Sequence, residues 1–479
     1  MTLYQAKTVY LIGIRGVGMA ALACVLQDMG KNILGSDVVS SHNTPTDLLL
    51  KKRDIKVFEE FDEKHINNSV DFVVTPTLFN GPDNIEAKQA YKLNVDSATY
   101  AKAVGIVMNW STTRIAVCGS HGKTTTTALI ANVFNDLKLK STYIVGASEF
   151  NNGISGGGST GEDFCVVEAD EYVTSVGFNN MSKFLYQNPS HILCTNIDFD
   201  HPDVFSSLKE VRLSFETFFE ENIKDTEKNL FYCVDNQALN EVVKENNLEG
   251  ISFGLSDKAE YQARNIEIID GQFKFDVYRR NLSLTSIKML LKGDHNISNM
   301  TGVVALTHTL GLDIDKVSVS LSQFSPAQRR LQKLYENKVT YYDDYAHHPT
   351  EIKSSLIALK NLYPEKKIIV IFEPHTIART YALKYEFVES LKYADYVFIL
   401  PIYTSVREKQ DNIKITSEDL VNLSKKKGVG NLEFVESEDV IDKLLNEIRP
   451  KDLVVTMGAG DKVYFLRDTL IKTFKENNF

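Results

Sequence analysis

The strongest constraint on the fold is a regular alternation of short apolar runs with longer amphipathic stretches. The runs have the length of strands, are rich in β-branched residues and are separated by stretches of helical length: TVYLIGI, DFVVTP, RIAVCGS, DFCVVEAD, HILCTNI, KIIVIFEP, YVFILPI and DLVVTMGAG. Such alternation is typical of parallel sheets covered by helices. We therefore predict an α/β fold, in which ligands lie beyond the carboxyl ends of the strands.

The length of the chain allows more than one domain. With 479 residues, a prior of about 150 residues per domain favours three. The strand pattern places the predicted domains at 1–112, 113–324 and 325–479. The second of them has shorter alternating strands between Leu230 and Leu291, which predict an added antiparallel patch.

The charge balance and the cysteines exclude several classes of protein. A net charge of −10 argues against nucleic acid as a partner, because a negative potential repels phosphate backbones. Glycines and Arg15 interrupt the first apolar run, which therefore predicts neither a signal peptide nor a membrane insertion. The cysteines form no CxxC pair and predict buried thiols in a reducing compartment, hence a cytoplasmic protein: Cys24, Cys118, Cys165, Cys194 and Cys233.

The sequence IAVCGSHGKTTTT at 115–127 is the strongest single motif. A buried strand enters a glycine-rich turn and a helix follows, so that converging backbone N–H groups and the helix dipole can bind phosphate. Lys123 would neutralise the β- and γ-phosphates of a nucleotide, and the Thr124 hydroxyl would ligate Mg²⁺. The usual pattern has a glycine where this chain has Val117. The alternative interpretation is a glycine-rich turn with a surface lysine.

Acidic residues and a histidine follow two further strands. They are Glu168, Asp170 and Glu171 after one strand, and Asn196, Asp198, Asp200, His201 and Asp203 after the next. Carboxylates beside strand cores need a counter-charge, and a divalent cation next to a triphosphate supplies one. The sequence therefore predicts a Mg²⁺ site, with helix caps and solvated loop charges as the alternative.

The amino-terminal block has glycines at Gly13, Gly16 and Gly18, between a strand and a helix. Their spacing is G-x-x-G-x-G, which is a weak match to the dinucleotide pattern and suits a nucleotide diphosphate at the helix N-terminus. Asp37 ends the second strand, where an acid could contact a ribose or a uracil edge. The alternative is a turn that only packs helix on strand.

The motifs together resemble those of the Mur ligases, over the whole chain and in the family's order. The segments that resemble the family are GIRGVGMAA, GSHGKTTTT, LKGDHNISNMTG and YYDDYAHHPTE, with Met300 where the family usually has alanine. The resemblance implies a Rossmann-like UDP-binding domain, a central P-loop-type ATP-binding domain and a Rossmann-like C-terminal domain. It also implies Mg²⁺ as cofactor and ATP as co-substrate.

The resemblance assigns residues to the two nucleotides and to the metal. ATP would be bound by Gly119, Ser120, His121, Gly122, Lys123, Thr124, Thr125, His295, Asn296, Asn299 and Arg330. The UDP-sugar would be bound by Gly13, Arg15, Gly16, Gly18, Met19 and Asp37. The metal would be held by Thr124, Glu168 and His201. Alternatively, His295, Asn296 or Asn299 could cap a helix beginning near Ser298, and Arg329 beside Arg330 could be a solvated residue.

The carboxy-terminal block would bind the incoming amine. The resemblance gives the amino-acid site as Asp344, Tyr345, His348 and His375, and the catalytic residues as Lys123, His201, His347 and Arg379. A histidine is suited to take a proton near neutral pH, and an arginine can grip a carboxylate. The competing interpretation of the adjacent histidines is a metal site. Pro349 at the start of a helix argues against it.

Two reactions remain open within the family. EPHTIART, LPIYTSVREK and VVTMGAGD resemble the member that joins L-alanine to UDP-N-acetylmuramate through an acyl phosphate, whereas DEYVTSVGFNNMSKF resembles the member that attaches L-Ala-γ-D-Glu-meso-diaminopimelate. We expect L-alanine, with UDP-N-acetylmuramate and ATP, and a monomer or homodimer. An NAD-type dehydrogenase, suggested by the first block alone, leaves GSHGKTTTT unexplained.

Overall fold

The computed structural model describes residues 1–38, 44–223, 230–325, 329–404 and 414–479. Three consecutive parts of the chain each build one large sheet, here called the amino-terminal, central and carboxy-terminal parts. Two sequence features lie partly outside the described residues. They are the SVREK end of LPIYTSVREK and the predicted start of the third domain after Ser325.

The amino-terminal part is a five-stranded parallel sheet in the order β3-β2-β1-β4-β5. Its strands are β1 (Thr8–Ile12), β2 (Asn32–Ser36), β3 (Lys56–Phe58), β4 (Phe72–Thr75) and β5 (Asp96–Thr99). Its helices are α1 (Val17–Asp28), α2 (Pro45–Lys52), α3 (Ile85–Lys92) and α4 (Tyr100–Met108). The strand order reverses beside β1, so the glycine turn after β1 lies at the crevice where such sheets bind ligands.

The central part is a ten-stranded sheet in the order β17-β16-β15-β14-β13-β12-β6-β9-β7-β8. Its strands are β6 (Thr113–Cys118), β7 (Ser141–Phe150), β8 (Ile154–Ser159), β9 (Phe164–Ala169), β12 (His191–Cys194), β13 (Leu230–Cys233), β14 (Ile251–Gly254), β15 (Tyr261–Ile269), β16 (Gln272–Arg279) and β17 (Leu282–Met289). A separate hairpin is formed by β10 (Val173–Ser175) and β11 (Asn179–Ser182). The helices are α5 (Lys123–Asp136), α6 (Leu208–Asn222), α7 (Gln237–Glu245), α8 (Asp294–Thr309) and α9 (Ile314–Gln323).

Most neighbours in the central sheet are parallel, and antiparallel pairs occur at both ends. The predicted antiparallel patch is present as β15, β16 and β17. At the opposite edge β7 and β8 form an antiparallel hairpin that the sequence did not predict. The strand β6, which leads into the phosphate loop, lies between β12 and β9, so polar residues after all three strands meet at one edge.

The carboxy-terminal part is a six-stranded sheet in the order β18-β19-β23-β20-β21-β22, and only β18 is antiparallel to its neighbour. Its strands are β18 (Gln332–Glu336), β19 (Thr340–Asp344), β20 (Ile368–Phe372), β21 (Tyr396–Ile399), β22 (Leu432–Phe434) and β23 (Leu453–Met457). Its helices are α10 (Pro349–Leu362), α11 (Ile377–Ala382), α12 (Lys384–Leu391), α13 (Ser417–Lys426), α14 (Val440–Glu447) and α15 (Asp461–Glu476).

Helix α1 joins the amino-terminal part to the central part. Its residues 19–26 are all buried, which is expected of a helix that is apolar on every side. One face packs on its own sheet and another on the β7–β8 hairpin. At Gly157 of β8 a Cβ atom would lie 1.9 Å from the carbonyl oxygen of Ala21, so only glycine permits this approach. The two parts consequently share one apolar cluster, whereas the carboxy-terminal sheet has separate clusters on its two faces.

The α/β class and the three-domain organisation predicted from the sequence are confirmed. The domain limits stay predictions. No helix in the described part of the chain combines the length and the apolarity needed to cross a membrane.

Candidate active site

The turn between β6 and α5 has the geometry of a phosphate-binding loop. Gly119 has φ +134°, and a Cβ there would lie 2.1 Å from Thr195 Oγ1. Gly122 has φ +82°, and its Cβ would lie 3.0 Å from Asn299 Nδ2. Within the described residues no side chain caps the N-terminus of α5. Its first N–H groups therefore face the loop, where an anion would satisfy them.

Lys123 is held at the mouth of this loop by Glu171. Its Nζ donates to Glu171 Oε2 at 2.7 Å and to the carbonyl oxygens of Gly119 at 2.5 Å and Ser120 at 3.3 Å. Burial lowers the pKa of Lys123, but the charges of Glu171 and Asp170 outweigh it and raise the pKa above its ordinary value. The ammonium group is thus charged and positioned for a phosphate.

The predicted metal ligands lie beside this lysine. Glu168 accepts a 2.5 Å hydrogen bond from the Gly146 N–H. Burial raises the pKa of Glu168, and its hydrogen bonds with Gly146 and Thr124 act in the opposite direction. Thr124 and Glu168 are therefore neighbours, as a shared cation would require.

A second set of possible ligand atoms, from Asp170, Glu171 and His201, lies within 4.8 Å of one another. Glu171 Oε1 is buried and has no hydrogen-bond partner among the described residues. An orphaned carboxylate oxygen next to other oxygen ligands fits a hard divalent cation. The donor set therefore suits Mg²⁺, and it brings Asp170 and Glu171, two of the acidic residues behind the predicted Mg²⁺ site, together with His201.

A cavity of about 160 Å³ opens beside the loop, and its walls include the residues predicted for the nucleotide base. The predicted residues that line it are His121, Gly122, Thr125, His295, Asn296, Asn299 and Arg330, with Asp344 at its carboxy-terminal wall. Burial lowers the pKa of His295 to about 4, so its ring is neutral at pH 7.

The prediction of a helix beginning near Ser298 is wrong. Helix α8 begins at Asp294, after Gly293 takes φ +91°. Asn296 and Asn299 therefore lie inside the helix, and neither is its N-cap. Asn296 Nδ2 donates to the Lys292 carbonyl at 2.7 Å, which leaves its side-chain oxygen for a ligand.

The amino-terminal glycine turn is shaped by an arginine and an aspartate. Arg15 donates its N–H to Asp37 Oδ2 at 2.8 Å and its Nε to Asp47 Oδ1 at 2.6 Å. Asp37 is 4% exposed and also accepts the N–H of Val38. Arg15 and Asp37 thus hold the backbone of the turn, and a direct contact of either with a UDP-sugar stays a prediction. At Gly18 a Cβ would lie 2.5 Å from the hydroxyl oxygen of Tyr100.

Two neutral histidines precede helix α10. His348 is the N-cap, and its Nδ1 accepts the Thr350 N–H at 3.3 Å. His347 Nδ1 lies 3.4 Å from Glu351. Burial lowers the pKa of each imidazole to about 4, so both are unprotonated at neutral pH. Arg330 approaches the same Glu351 at 3.9 Å.

The other residues predicted to bind the amino acid are buried to different extents. Asp344 is buried and accepts a 2.5 Å hydrogen bond from Ser355 Oγ, and burial raises its pKa to about 6. Tyr345 is half-exposed at the cavity wall. His375 stacks on Tyr403 at 5.0 Å between ring centroids, outside the main cavity. Asp344 and His375 therefore lie behind the wall of the main cavity.

The central and carboxy-terminal parts meet at residues 198–200. Arg379 donates from Nε and Nη2 to Asp200 Oδ1 at 2.9 and 2.6 Å. Thr350 Oγ1 donates to Asp198 Oδ2 at 2.6 Å, and His348 Nε2 lies 3.1 Å from the Phe199 carbonyl. The predicted catalytic Arg379 is thus engaged in an ion pair between domains, a contact that the sequence did not predict.

One cavity of about 730 Å³ brings the three parts together. The predicted residues that line it are Gly13, Gly16, Gly18, Met19, Ser120, His121, Gly122, Lys123, Thr124, Glu168, His201, Arg330, Tyr345 and His347. Sequence reasoning missed Phe79, Tyr100, Asp461, Tyr464 and Phe465. Asp461 directly follows the MGAG segment, and Tyr464 and Phe465 lie about one turn further along α15, so their position after this segment could have indicated them.

The fold and this shared cavity define a multidomain nucleotide-binding enzyme, and comparison with known proteins gives its family. The model of the Mur ligase family catalytic domain matches residues 8–111, that of the Mur ligase middle domain 117–307, and that of the Mur ligase glutamate ligase domain 329–460. The chain belongs to the Mur ligase family.

Individual relatives cover nearly the whole chain. The UDP-N-acetylmuramate–L-alanine ligase of Lactobacillus johnsonii is 34% identical over 455 residues, which are 95% of this chain and 96% of that protein. The crystal structure of the UDP-N-acetylmuramate–alanine ligase from Thermotoga maritima matches with a TM-score of 0.77 at 23% identity, covering 99% of this chain and 100% of that one. A murein peptide ligase from Psychrobacter arcticus has a TM-score of 0.70 at 20% identity, covering 98% of both chains.

Proposed function

We propose that the protein joins L-alanine to the lactyl carboxylate of UDP-N-acetylmuramate, with cleavage of ATP to ADP and phosphate. The observation that carries this proposal is the single cavity in which the amino-terminal glycine turn, the phosphate loop and His347 face one another. Three binding surfaces from three domains suit a reaction with three substrates. The L-alanine ligase of Lactobacillus johnsonii, similar over nearly its whole length, supports the choice of amino acid.

Each nucleotide substrate is assigned to the part of the cavities where its predicted binding residues lie. ATP would place its triphosphate on residues 119–125 and its base in the smaller cavity beside α8. The UDP-sugar would place its diphosphate on the turn that contains Gly13, Gly16 and Gly18, at the N-terminus of α1. The sugar would then reach toward Lys123, which brings its carboxylate to the γ-phosphate.

Mg²⁺ would be held by Thr124, Glu168 and His201, with Glu171 supplying its unpartnered oxygen. When bound, Mg²⁺ neutralises phosphate charge and so supports transfer of the γ-phosphoryl group.

The reaction would proceed in two transfers. The carboxylate oxygen attacks the γ-phosphorus, the bond to ADP breaks, and an acyl phosphate forms. The amine of L-alanine then attacks the acyl carbon, and phosphate leaves. Lys123 stabilises the charge that develops on the phosphoryl oxygens, and neutral His347 accepts the proton that the amine loses.

The tripeptide ligation remains the second candidate, and one observation favours it. The segment that resembles the tripeptide-adding member forms the β10–β11 hairpin, whose Phe178 and Met181 are 49% and 46% exposed. We also propose a cytoplasmic location, no nucleic-acid partner, and a monomer or homodimer.

Product analysis tests the proposal directly. The full chain is incubated with ATP, Mg²⁺ and UDP-N-acetylmuramate, and L-alanine, L-serine, glycine and L-Ala-γ-D-Glu-meso-diaminopimelate are offered separately. Mass spectrometry should find the L-alanine adduct, together with phosphate release that needs both the UDP-sugar and the amine. A tripeptide adduct alone would favour the second candidate. Undiminished turnover by Lys123→Ala would contradict the role of the loop.

A further inference from the structure

Three side chains from separate segments meet where the phosphate loop contacts the carboxy-terminal part. They are His121 in the loop, Asp198 after β12 and His348 before α10, and their possible ligand atoms lie within 4.8 Å of one another. His121 Nε2 is 3.3 Å from Asp198 Oδ2, and His348 Nδ1 is 4.0 Å from the same oxygen. This cluster is separate from the residues assigned to Mg²⁺.

The separations suit a small tetrahedral cation. Zinc bonds to imidazole nitrogen and carboxylate oxygen of about 2.0–2.1 Å place neighbouring ligand atoms about 3.3 Å apart in a tetrahedron. His121 Nε2 and Asp198 Oδ2 already have this separation, whereas His348 Nδ1, at 4.0 Å from the same oxygen, would have to approach it by about 0.7 Å.

The second nitrogen of His348 is hydrogen-bonded as in metal sites, and that of His121 faces a carboxylate at a longer distance. His348 Nε2 lies 3.1 Å from the Phe199 carbonyl, which only accepts, so Nε2 carries the hydrogen and Nδ1 presents its lone pair. His121 Nδ1 lies 3.6 Å from Glu351 Oε1, an arrangement that leaves Nε2 for a ligand. Metal-binding histidines characteristically donate their other N–H to a carbonyl or a carboxylate. A cation at His348 Nδ1 would replace the 3.3 Å contact from Thr350 N.

The donor set also indicates which cation would bind. Two imidazoles and one carboxylate suit Zn²⁺ and similar transition cations, whereas Mg²⁺ prefers oxygen ligands. The side chains of His121 and His348 are 10% and 3% exposed, while that of Asp198 is 34% exposed and leaves an entry path. Water would complete the tetrahedron.

We propose that His121, Asp198 and His348 form a binding site for a divalent transition cation of the Zn²⁺ type. Its ligands come from both sides of the domain junction, so the bound cation ties the phosphate loop to α10. The cation therefore opposes separation of the carboxy-terminal part and slows a reaction cycle that needs the cleft to open. The competing occupant is a protonated His121 paired with Asp198 and Glu351, which takes up no metal.

Metal uptake by the full chain tests the site. Wild type, Asp198→Asn, His348→Gln and His201→Gln are dialysed against ZnCl₂ without nucleotide, and bound zinc is measured by mass spectrometry. Wild type and His201→Gln, which alters only the other cluster, should share one Zn²⁺ site of equal affinity, whatever further Zn²⁺ the cluster of Asp170, Glu171 and His201 takes up in wild type. The affinity of the other two variants should fall at least about tenfold. Co²⁺ bound to wild type should show the intense visible bands of four-coordinate cobalt, a readout independent of any variant.

Several results would overturn the proposal. These are no uptake by wild type, equal affinity in all four proteins, loss in His201→Gln alone, or a six-coordinate cobalt spectrum. Circular dichroism identifies a variant that fails to fold, and the cobalt spectrum of wild type then decides.

Discussion

Arg379 grips Asp200 across the junction between the central and carboxy-terminal parts, with two guanidinium nitrogens on one carboxylate oxygen at 2.9 and 2.6 Å. Both residues are nearly buried, at 4% and 6% exposure. Leaving one partner of such a pair alone costs about 3–5 kcal/mol. The pair is therefore a principal contact between the central and carboxy-terminal parts.

Arg379→Ala should weaken the contact between the central and carboxy-terminal parts. We expect turnover to fall at least about 100-fold, since a buried Asp200 without its partner favours separation of the two parts. Small-angle scattering should show a larger radius of gyration than for wild type. Arg379→Lys retains the charge but loses the two-pronged contact, and its effect should be intermediate. Full activity together with unchanged scattering in Arg379→Ala would refute the role.

Glu171→Gln should separate catalysis from nucleotide binding. The substitution keeps the size of the side chain but removes the negative charge that holds Lys123 at 2.7 Å and offers an oxygen to the metal. We expect kcat to fall about 10- to 100-fold without an increase in the KM for ATP. Glu245→Gln, which alters an exposed ion pair with Arg212, is the control and should behave as wild type. A higher KM with unchanged kcat would show that Glu171 acts on binding alone.

Gly122→Ala should weaken ATP binding by crowding the loop. A side chain at φ +82° costs about 1–2 kcal/mol, and this Cβ would in addition press on Asn299 at 3.0 Å. Gly177→Ala is a matched control, because Gly177 has φ +79° with nothing within 4 Å of its Cβ. Calorimetric titration with ADP should show weaker binding to Gly122→Ala only. Equal affinities of the two variants would mean that the contact with Asn299 is unimportant.

The pH dependence of kcat/KM for ATP should report Asp344, which lines the smaller cavity. Burial raises the pKa of Asp344 to about 6, so the carboxylate is protonated below that pH and no longer attracts Arg330, which lines the same smaller cavity. Burial lowers the pKa of His347 to about 4, so His347 stays neutral over the range about pH 5 to 8. His347 therefore causes no change in kcat/KM over that range. We expect kcat/KM to fall as the pH drops through 6, and Asp344→Asn to have a lower but flat profile. If kcat/KM of Asp344→Asn still falls as the pH drops through 6, another group is responsible for the decrease.

Much of the fold could be predicted because its signals are local. The apolar runs that end in polar residues correspond to β1, β4, β6, β9, β12, β20, β21 and β23. The β7–β8 hairpin could not be predicted, because Gly157 matters only when Ala21 of another domain approaches it. The start of α8 could not be predicted, because the turn at Gly293, with φ +91°, sets the boundary at Asp294 and not near Ser298.

The candidate site also has parts that the sequence predicts and parts that it does not. Residues 119–125 are contiguous, so their phosphate-loop pattern is visible in the sequence. The ion pair of Arg379 with Asp200 joins residues 179 positions apart, and nothing local indicates that an arginine predicted to contact substrate has a partner in the protein. Likewise, the sequence ranks Glu168 above Glu171, and only the packed structure shows which carboxylate reaches Lys123.

The shared apolar cluster around α1 has a consequence for how such a chain can be recombined. The amino-terminal and central parts depend on each other, since residue 157 must be glycine to admit the backbone of Ala21. The carboxy-terminal part, by contrast, has apolar clusters of its own. A chimera that exchanges everything after α9 with a relative should therefore yield intact protein more often than one spliced between α4 and β6. The carboxy-terminal part can therefore be exchanged as one unit. Such an exchange could change the specificity for the amine in a single step.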